Sequence, residues 1–379
     1  GLVADFNATH TDYRIEMEVY GYDGLPRLLT ELAAGDLPDI LNVGSYDLPT
    51  EQLIAKGYLE DLYPYLDADP ELSRESLLPN VLEAFEHDGA LYEALSNFRV
   101  STFISGPEEI GNDFNEIIRG FVAQIEAGEE PPLLLADGRG GFPYYIGLHL
   151  FDQFVDWETG TCYFDGEDFV NLLRYAEAVE YMDPPDDYSE DMILDGSALL
   201  FMTYAGTVRR ISLYRAAWGE NYRLHGLPGL DGTSNNYIIR GDTILAISST
   251  SEHKEMCWEL IREMYIAENQ IDPYDVFARA MNSPTNAEAF DAVMEYERNL
   301  EDDGGMTSGH VGTTYYDFPI KPLEEDIQIF IDLMTSVNKT THPDYTIMDI
   351  VREESNRMFA GEQSVEETAA NIQSRASVY

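Results

Sequence analysis

The stretch LPRLLTELAAGDLPDILNVG, residues 25–44, decides the fold class of this chain. Its first half predicts a helix over residues 25–34 that ends at Gly35, because one apolar stripe recurs at helical spacing: Leu25, Leu28, Leu29 and Leu32. Its second half contains a short apolar run, residues 40–43, which predicts a buried strand that ends at Gly44. A helix that leads directly into a buried strand is the repeating unit of α/β sheets, so we predict an α/β fold.

The same alternation continues along the chain. We predict extended segments over residues 15–20, 95–105, 133–136, 198–203 and 237–248. We predict helices over residues 51–56, 114–126, 169–181 and 208–218, and almost only helix from residue 252 onward, over 252–267, 285–301, 323–337, 346–360 and 364–377. The extended segments near residues 100 and 243 flank the middle unit. This arrangement is expected for two lobes joined by more than one crossing strand.

Charge is the most unusual property of the composition. The 379 residues, enough for two to three domains, include 22 Lys and Arg against 71 Asp and Glu, which gives a net charge of −49. A chain with this charge repels phosphate backbones and anionic membranes, so we exclude nucleic acid as a partner. Such acidity keeps a protein soluble and is typical of halophilic proteins, so it does not name the ligand.

Signals for catalysis and cofactors are missing from the sequence. The metalloprotease, serine hydrolase and P-loop motifs do not occur, and the glycine-rich run at residues 137–141 lacks dinucleotide-binding spacing. Asp67, Asp69 and Glu71 resemble part of a calcium loop, but no glycine stands where that loop turns. We therefore expect no cofactor, no metal and no enzyme activity. With 71 carboxylates, a glycosidase pair stays an open alternative.

The two cysteines and the hydropathy give further limits. Cys162 and Cys257 support neither a disulfide framework nor a zinc cluster, and we expect two buried thiols, with a single disulfide as the alternative. No apolar run approaches the 18 or so residues that a membrane-spanning helix needs. The sequence shows no signal-peptide pattern, but because it opens on a helical pattern without Met we interpret its start as trimmed, so this says nothing about export.

Aromatic residues stand at the ends of several predicted strands, where open α/β sheets bind their ligands. A tyrosine ring stacks on the apolar face of a sugar, while its hydroxyl and neighbouring Asp or Arg groups bond the sugar hydroxyls. A buried Arg99, in a crossing strand, needs a partner, which a ligand hydroxyl or a facing Asp could supply. The candidate ligand-binding residues are Tyr46, Asp47, Arg99, Phe142, Tyr144, Tyr145, Tyr204, Tyr315 and Tyr316.

Five collinear segments resemble one family. They are LAAGDLPDI (residues 32–40), KGYLEDL (56–62), DGALY (88–92), GDTILAI (241–247) with SEHKE (251–255) and Trp258, and Gly361 with SVEETA (364–369). Together they are similar to the extracellular solute-binding proteins of bacterial ABC importers, in the sugar-binding class that includes maltose-binding-protein-like chains. The proline that usually follows the DGALY segment is absent here.

The resemblance implies a periplasmic-binding-protein-like fold with two α/β lobes, a multi-strand hinge and a helical C-terminal region. We expect lobe 1 over residues 1–102 and 248–304, lobe 2 over 103–247 and 305–379, and hinge crossings near 100–104, 243–247 and 305–312. The strand and loop that normally open such proteins are missing from this sequence, and with them part of the site.

For function, the resemblance implies that a sugar or oligosaccharide binds in the cleft and that the closed form docks on an ABC permease. It also implies an exported protein, lipid-anchored to the cell membrane, and we expect a monomer. Which sugar binds is left open. Two alternatives remain: a two-lobed receptor for a polyamine or peptide, and a glycoside-processing enzyme. Salt would weaken the affinity for a cationic polyamine but not the affinity for a sugar.

Overall fold

The structure is a computed structural model of the chain. It describes residues 2–20, 24–44, 48, 50–107, 110–111, 113–136, 139, 141, 149–156, 159–179, 190–228, 234–239, 243–271, 282–340 and 344–378. Helices and strands alternate as far as residue 247, and helices dominate the rest.

The helices, with a 3₁₀ turn at Arg74–Ser76, are α1 Leu2–Thr9, α2 Leu25–Ala33, α3 Thr50–Ala55, α4 Tyr63–Ala68, α5 Pro79–Phe85, α6 Phe114–Glu126, α7 Phe151–Phe154, α8 Glu167–Ala178, α9 Asp191–Asp195, α10 Val208–Trp218, α11 Lys254–Tyr265, α12 Ala267–Gln270, α13 Ala287–Asn299, α14 Glu324–Ser336, α15 Tyr345–Phe359 and α16 Val365–Ala376. The strands are β1 Ile40–Asn42, β2 Glu86–His87, β3 Ala90–Leu91, β4 Asn97–Ser105, β5 Leu133–Leu135, β6 Val155–Asp156, β7 Thr161–Cys162, β8 Ala198–Ala205, β9 Arg223–His225, β10 Leu227–Pro228, β11 Ser234–Asn235, β12 Tyr237–Ile239, β13 Leu245–Ile247, β14 Ser283–Pro284, β15 Met306–Val311 and β16 Thr314–Pro319.

Helix ends follow ordinary capping chemistry. The Asp113 carboxylate accepts a hydrogen bond from the Glu116 amide at the start of α6, and Ser364 and Glu367 form a capping box at the start of α16. After α2 the chain turns through Gly35 at a φ of +79°, a backbone conformation that glycine adopts without strain. The boundaries of α6 and α10 coincide with the predicted ones.

The main sheet is built on the long strand β4. Strands β12 and β8 pair with β4 in antiparallel fashion on either side, and β5 pairs with β8 in parallel. Strands β9 and β14 pair with the two ends of β4. A second, two-stranded sheet joins β1 to β13. The mixed α/β architecture is the one that the sequence predicts.

Buried side chains of the described residues form two large cores and two smaller ones, the smallest of which consists of Ala136, Ile193 and Ala198. Core 1 includes Leu62, Phe85, Phe98, Tyr265 and Phe330. Core 2 includes Phe103, Phe164, Phe169, Leu173 and Ile372. Core 3 consists of Ile104, Leu213, Tyr214, Trp218, Val311 and Phe318. Two large cores that share one long strand are expected when two lobes are joined through a sheet.

The chain passes between the two large cores at three neighbouring places. Strand β4 contributes Phe98 and Val100 to core 1 and Phe103 to core 2. Strand β12 lies beside it, and Thr340 forms a bridge with Ile238 of β12 where the chain runs from α14 to α15. This third passage lies later in the sequence than residues 305–312. The lobe boundaries predicted from the sequence stay a prediction.

Strands β15 and β16 form a hairpin between the helices predicted over residues 285–301 and 323–337, where the sequence analysis predicts no hairpin. Residues 306–319 alternate between exposed and half-buried, and Gly312 turns the chain at a φ of +57°. The inner face of the hairpin packs on α10, where a Cβ at Gly309 would approach the Leu213 side chain to 2.9 Å. Packing against a distant helix therefore determines this hairpin, and local periodicity does not reveal it.

Residues 15–20, predicted as a strand, form neither strand nor helix. The alternation of apolar and polar residues is present, but no described strand pairs with this segment, and Met17 and Val19 are exposed. A strand exists only through hydrogen bonds to a neighbour, so the prediction was wrong for the described residues.

Both cysteines are free and buried, which confirms the predicted thiols. Burial raises the pKa of the Cys257 thiol to about 11, so this group stays protonated and unreactive at neutral pH.

Candidate functional site

One face of the main sheet changes from buried to open along its length. Arg99, Ser101 and Phe103 alternate with residues that point the other way, so they share a face of β4. Tyr204 in β8 and Tyr237 in β12 both pair with Ser101, which puts them on the same face. We call these five residues the crossing face.

Core 2 covers only part of this face. Phe103 and Met202, which pair with each other, are buried in core 2. Core 2 does not cover the other end of the face, where Arg99 is half-buried and Tyr204 is 36% exposed. The reverse face of the sheet is closed by cores 1 and 3, through residues such as Val100 and Ile104. The open end of the crossing face therefore lies where the two large cores meet.

Arg99 and Tyr204 are in direct contact at this open end. The guanidinium carbon of Arg99 lies 4.8 Å from the centroid of the Tyr204 ring, within cation–π range. The two residues are diagonal neighbours on adjacent strands, because Tyr204 pairs with Ser101 and not with Arg99. The structure thus brings together two of the residues that the sequence predicts for the site.

The crossing face holds polar groups that the protein does not satisfy. Among the described residues, no carboxylate lies within ion-pair distance of Arg99, whose recorded contact is the Tyr204 ring. The hydroxyl of Ser101 is buried and has no hydrogen-bond partner in the described part of the chain. Buried polar groups in folded proteins are almost always hydrogen-bonded, so the Ser101 hydroxyl is an exception, and it lies on the same face as the half-buried Arg99.

The buried part of the face is closed by Tyr237 and His149. The Tyr237 hydroxyl donates a hydrogen bond of 3.0 Å to the carbonyl of His149, and the two rings lie 5.1 Å apart. The imidazole also meets Phe103 edge to face, at 5.4 Å. Burial lowers the pKa of His149 to about 3, so this ring is neutral at physiological pH.

A hydrogen-bond network on the other side of β8 fixes the strand that carries Tyr204. The Glu190 carboxylate accepts from Arg210 at 2.6 Å and from the Tyr214 hydroxyl at 3.1 Å. Tyr214 in turn bonds the hydroxyl of Thr203, the neighbour of Tyr204. Burial raises the pKa of Tyr214, which keeps its hydroxyl proton available for this network.

Tyr315 and Tyr316 lie on the hairpin and point to opposite sides of it. Tyr316 packs against core 3, which lies on the reverse side of β4 from Arg99. Tyr315 is 70% exposed and contacts the His310 ring at 3.5 Å. The described structure therefore does not bring this pair onto the crossing face with Arg99 and Tyr204.

The other predicted site residues cannot be placed. Tyr46, Asp47, Phe142, Tyr144 and Tyr145 lie outside the described residues. Residues 142–145 precede His149 by only a few positions, and His149 packs on the crossing face. Their role stays a prediction.

Sequence analysis missed Ser101 and Glu190. A serine between apolar strand residues resembles a spacer, although its position two residues after Arg99 places it on the same face. No sequence signal distinguishes Glu190, because it is one carboxylate among 71 and only the folded chain brings it to Arg210 and Tyr214.

Metal and membrane sites receive no support from the described residues. Among them, no group of three or more His, Cys, Asp or Glu side chains could hold a metal ion. Asp67 pairs with Arg74, and Asp69 pairs with Arg262, so both carboxylates are engaged within the protein. None of the described helices has the length and apolar character needed to cross a bilayer.

A family model of bacterial extracellular solute-binding proteins matches residues 1–271, well over half of the chain. The chain belongs to this family. Proteins of the family bind solutes outside the cytoplasm. No curated protein sequence matches this solute-binding protein.

Solved structures share the fold of this solute-binding protein at low sequence identity. The sugar-binding protein MalE from Xanthomonas citri has a TM-score of 0.58 and 17% identity, over 100% of this chain and 92% of its own. A chitin oligosaccharide binding protein has a TM-score of 0.55 and 14% identity, over 99% of this chain and 92% of its own. Maltose-bound MalE3 from T. maritima has a TM-score of 0.52 and 16% identity, over 100% of this chain and 94% of its own. These matches confirm the periplasmic-binding-protein-like fold class with two α/β lobes.

Proposed function

We propose that this solute-binding protein captures a sugar or oligosaccharide at the crossing face and delivers it to the permease of an ABC importer. The observation that carries the proposal is the open end of the crossing face, where an exposed tyrosine ring lies beside polar groups without protein partners. Support also comes from the similar structures, which are described as binding sugars, maltose and chitin oligosaccharide.

The chemistry of the face suits a carbohydrate. A pyranose ring presents apolar C–H groups on its faces and hydroxyls around its edge. The exposed ring of Tyr204 offers an apolar surface for the former, and Arg99 and Ser101 offer hydrogen bonds to the latter. A ligand at this place would satisfy groups that the protein leaves without partners.

The proposed site extends beyond the described residues. We include Tyr46, Asp47, Phe142, Tyr144 and Tyr145, because they follow strands of the two α/β units at the end where such sheets bind ligands. Of the hairpin pair we retain Tyr315, which is exposed, as a contact for an oligosaccharide that reaches the hairpin, and not Tyr316, whose ring packs against core 3.

Ligand binding is proposed to close two lobes. We assign residues 1–102 and 248–304 to the first lobe and residues 103–247 and 345–379 to the second, with β4 as one crossing. Helix α14 packs in core 1 through Phe330 and therefore goes with the first lobe. Closure follows if the ligand contacts both lobes only in the closed form, since a ligand shifts an equilibrium by its differential affinity for the two states. The passage of β4 from core 1 to core 2 supports a hinge at residues 100–104.

We further propose that the protein acts as a monomer without catalytic turnover and is held at the outer surface by a lipid anchor. The family consists of binding proteins, which supports capture without chemistry. Incubation of a bound oligosaccharide with the protein should return it unchanged by chromatography, whereas shorter products would indicate a glycoside-processing enzyme.

A melting-temperature titration tests the proposal. The protein is titrated with maltotriose, chitotriose, xylotriose, uronate trimers, spermidine and a tripeptide, each at low and high salt. One or more carbohydrates should raise the melting temperature at both salt concentrations, because a ligand at about 100 times its Kd adds about 2.7 kcal/mol to stability. A response to spermidine alone, lost in salt, would replace the sugar by a cation, and no response to any carbohydrate would contradict the proposal.

A further inference from the structure

Three half-buried basic residues among those described, Arg99, Arg209 and Lys321, have no carboxylate within 4.0 Å, and of the three only Arg99 belongs to the crossing face with the unsatisfied Ser101 hydroxyl. Twelve described arginines and lysines lie within 4.0 Å of a described carboxylate. This is expected in a chain with 71 acidic residues. Arg99 is half-buried, has no carboxylate partner among the described residues and lies against the Tyr204 ring.

The bonding capacity of the crossing face is unbalanced. A guanidinium has five N–H donors in a planar fork and no acceptor. Beside it, the buried Ser101 hydroxyl can donate one further hydrogen bond, and it has no partner in the described structure. A half-buried cation without a counter-charge is costly, and an anionic acceptor removes that cost. The described part of the site is therefore rich in donors and needs a ligand rich in acceptors.

We propose that the solute is an anionic carbohydrate, a sugar that carries a uronate carboxylate, and that Arg99 binds this carboxylate through two parallel N–H···O bonds. Because Arg99 lies against Tyr204, one sugar unit can meet the guanidinium through its carboxylate and the tyrosine through its ring. This inference rests on the proposed sugar-binding function and specifies its substrate class.

The net charge of −49 predicts a distinctive salt dependence for the affinity of an anionic sugar. Distributed surface carboxylates repel an anionic ligand over the Debye length, which falls from about 30 Å at 0.01 M salt to about 8 Å at 0.15 M. The half-buried contact with Arg99 is screened much less. Added salt in this range should therefore strengthen binding of a uronate trimer, leave a neutral trimer unchanged and weaken a polycation.

Calorimetry with matched trimers tests the inference on the full chain. The probes are α-1,4-linked trigalacturonate and β-1,4-linked trimannuronate, with maltotriose and β-1,4-mannotriose as neutral trimers of the same linkage and length. At least one uronate trimer should bind about 10- to 100-fold tighter than its neutral match, which is the usual worth of a hydrogen bond to a charged group. Arg99→Gln should remove this preference, and Arg99→Lys, which keeps the charge but loses the fork, should retain part of it.

Arg174→Gln is the matched control. It also removes one positive charge, but Arg174 pairs with Glu366 away from the crossing face, so uronate affinity should stay at the wild-type value. An unchanged melting temperature shows that the Arg99 variants are folded. If neutral trimers bind as tightly as uronate trimers, or Arg99→Gln weakens both equally, the inference is wrong while the proposed function stands. If no carbohydrate of either kind binds, the proposed function itself fails.

Discussion

Arg262 and Arg99 are both half-buried, yet their surroundings differ in kind. Arg262 in α11 donates to Asp69 at 2.9 Å and to Glu71 at 2.8 Å, and the Asp69 side chain is only 2% exposed. Asp69 also accepts from the Trp258 ring nitrogen and from the amides of Glu71 and Leu72. Arg99, in contrast, contacts the Tyr204 ring, and no described carboxylate lies within ion-pair distance of it.

The difference separates groups that hold the fold together from groups that await a ligand. Burial raises the pKa of Asp69, but the hydrogen bonds from Arg262, the backbone and Trp258 lower it by more, so the pKa falls to about 2. That pair is complete without a ligand. In the proposed function, Arg99 and Ser101 gain their partners from the ligand, so their substitution should change affinity and leave stability largely intact.

The largest effect is expected at the complete pair. Asp69→Asn leaves the Arg262 guanidinium shielded and without its main counter-charge, and it should lower the free energy of unfolding by about 3–5 kcal/mol in urea denaturation. Asp67→Asn is the control, because Asp67 and Arg74 form an exposed pair worth about 1 kcal/mol at most. Equal losses of unfolding free energy in the two variants would contradict the distinction between a shielded and an exposed ion pair.

Tyr204→Ala should affect ligand and not fold. Loss of the exposed ring removes the stacking surface and the contact with Arg99, and we expect affinity for the bound carbohydrate to fall about tenfold, from about 1.5 kcal/mol of stacking, with the melting temperature nearly unchanged. Tyr163→Ala removes another exposed tyrosine, one that follows β7, and should leave affinity unaltered. Wild-type affinity in the Tyr204 variant would take this residue out of the site.

His149 provides a test by pH. Its pKa is about 3 in the folded protein and about 6.5 in the unfolded chain, so below pH 6.5 only the unfolded chain takes up this proton. The folded state therefore loses up to about 1.4 kcal/mol of stability per pH unit from pH 6.5 downward. His149→Gln should remove this part of the acid dependence, whereas His253→Gln, at an exposed position, should not. Identical pH profiles for wild type and His149→Gln would show that the ring is not held neutral.

The smallest effect is expected at Ser101. Ser101→Ala removes a buried hydroxyl without a described partner, so stability should stay the same or rise slightly, while affinity falls a few-fold through loss of about 1 kcal/mol of hydrogen bonding. Ser283 is the matched control, because its buried hydroxyl donates to the carbonyl of Gly206. Ser283→Ala should cost about 1 kcal/mol of stability. The reverse pattern would make Ser101 a structural residue.

Local sequence signals predict much of the fold. Apolar residues with flanking turn and cap residues predict α6 and α10 to the residue, although α6 buries one stripe and α10 buries side chains in both core 1 and core 3. The strand over 15–20 and the hairpin over 306–319 follow different physics. In both cases the outcome depends on whether a distant segment is available for pairing or packing, and local alternation does not carry that information.

The site is predictable only in part, for the same reason. Arg99 and Tyr204 stand out because a charge in a crossing strand and a ring at a strand end are unusual positions. Their contact across two strands, and the missing counter-charge around Arg99, exist only in the folded chain. Tyr315 and Tyr316 show the opposite: adjacent rings in the sequence are separated by the pleat of a strand.

A crystal structure of the protein with the carbohydrate that gives the largest melting shift tests the central claim most directly. The account predicts sugar atoms within about 4.5 Å of the Tyr204 ring, and ligand oxygens within hydrogen-bond distance of the Arg99 guanidinium and the Ser101 hydroxyl. A well-ordered ligand elsewhere in the molecule, with Arg99 and Ser101 still without partners, would contradict it.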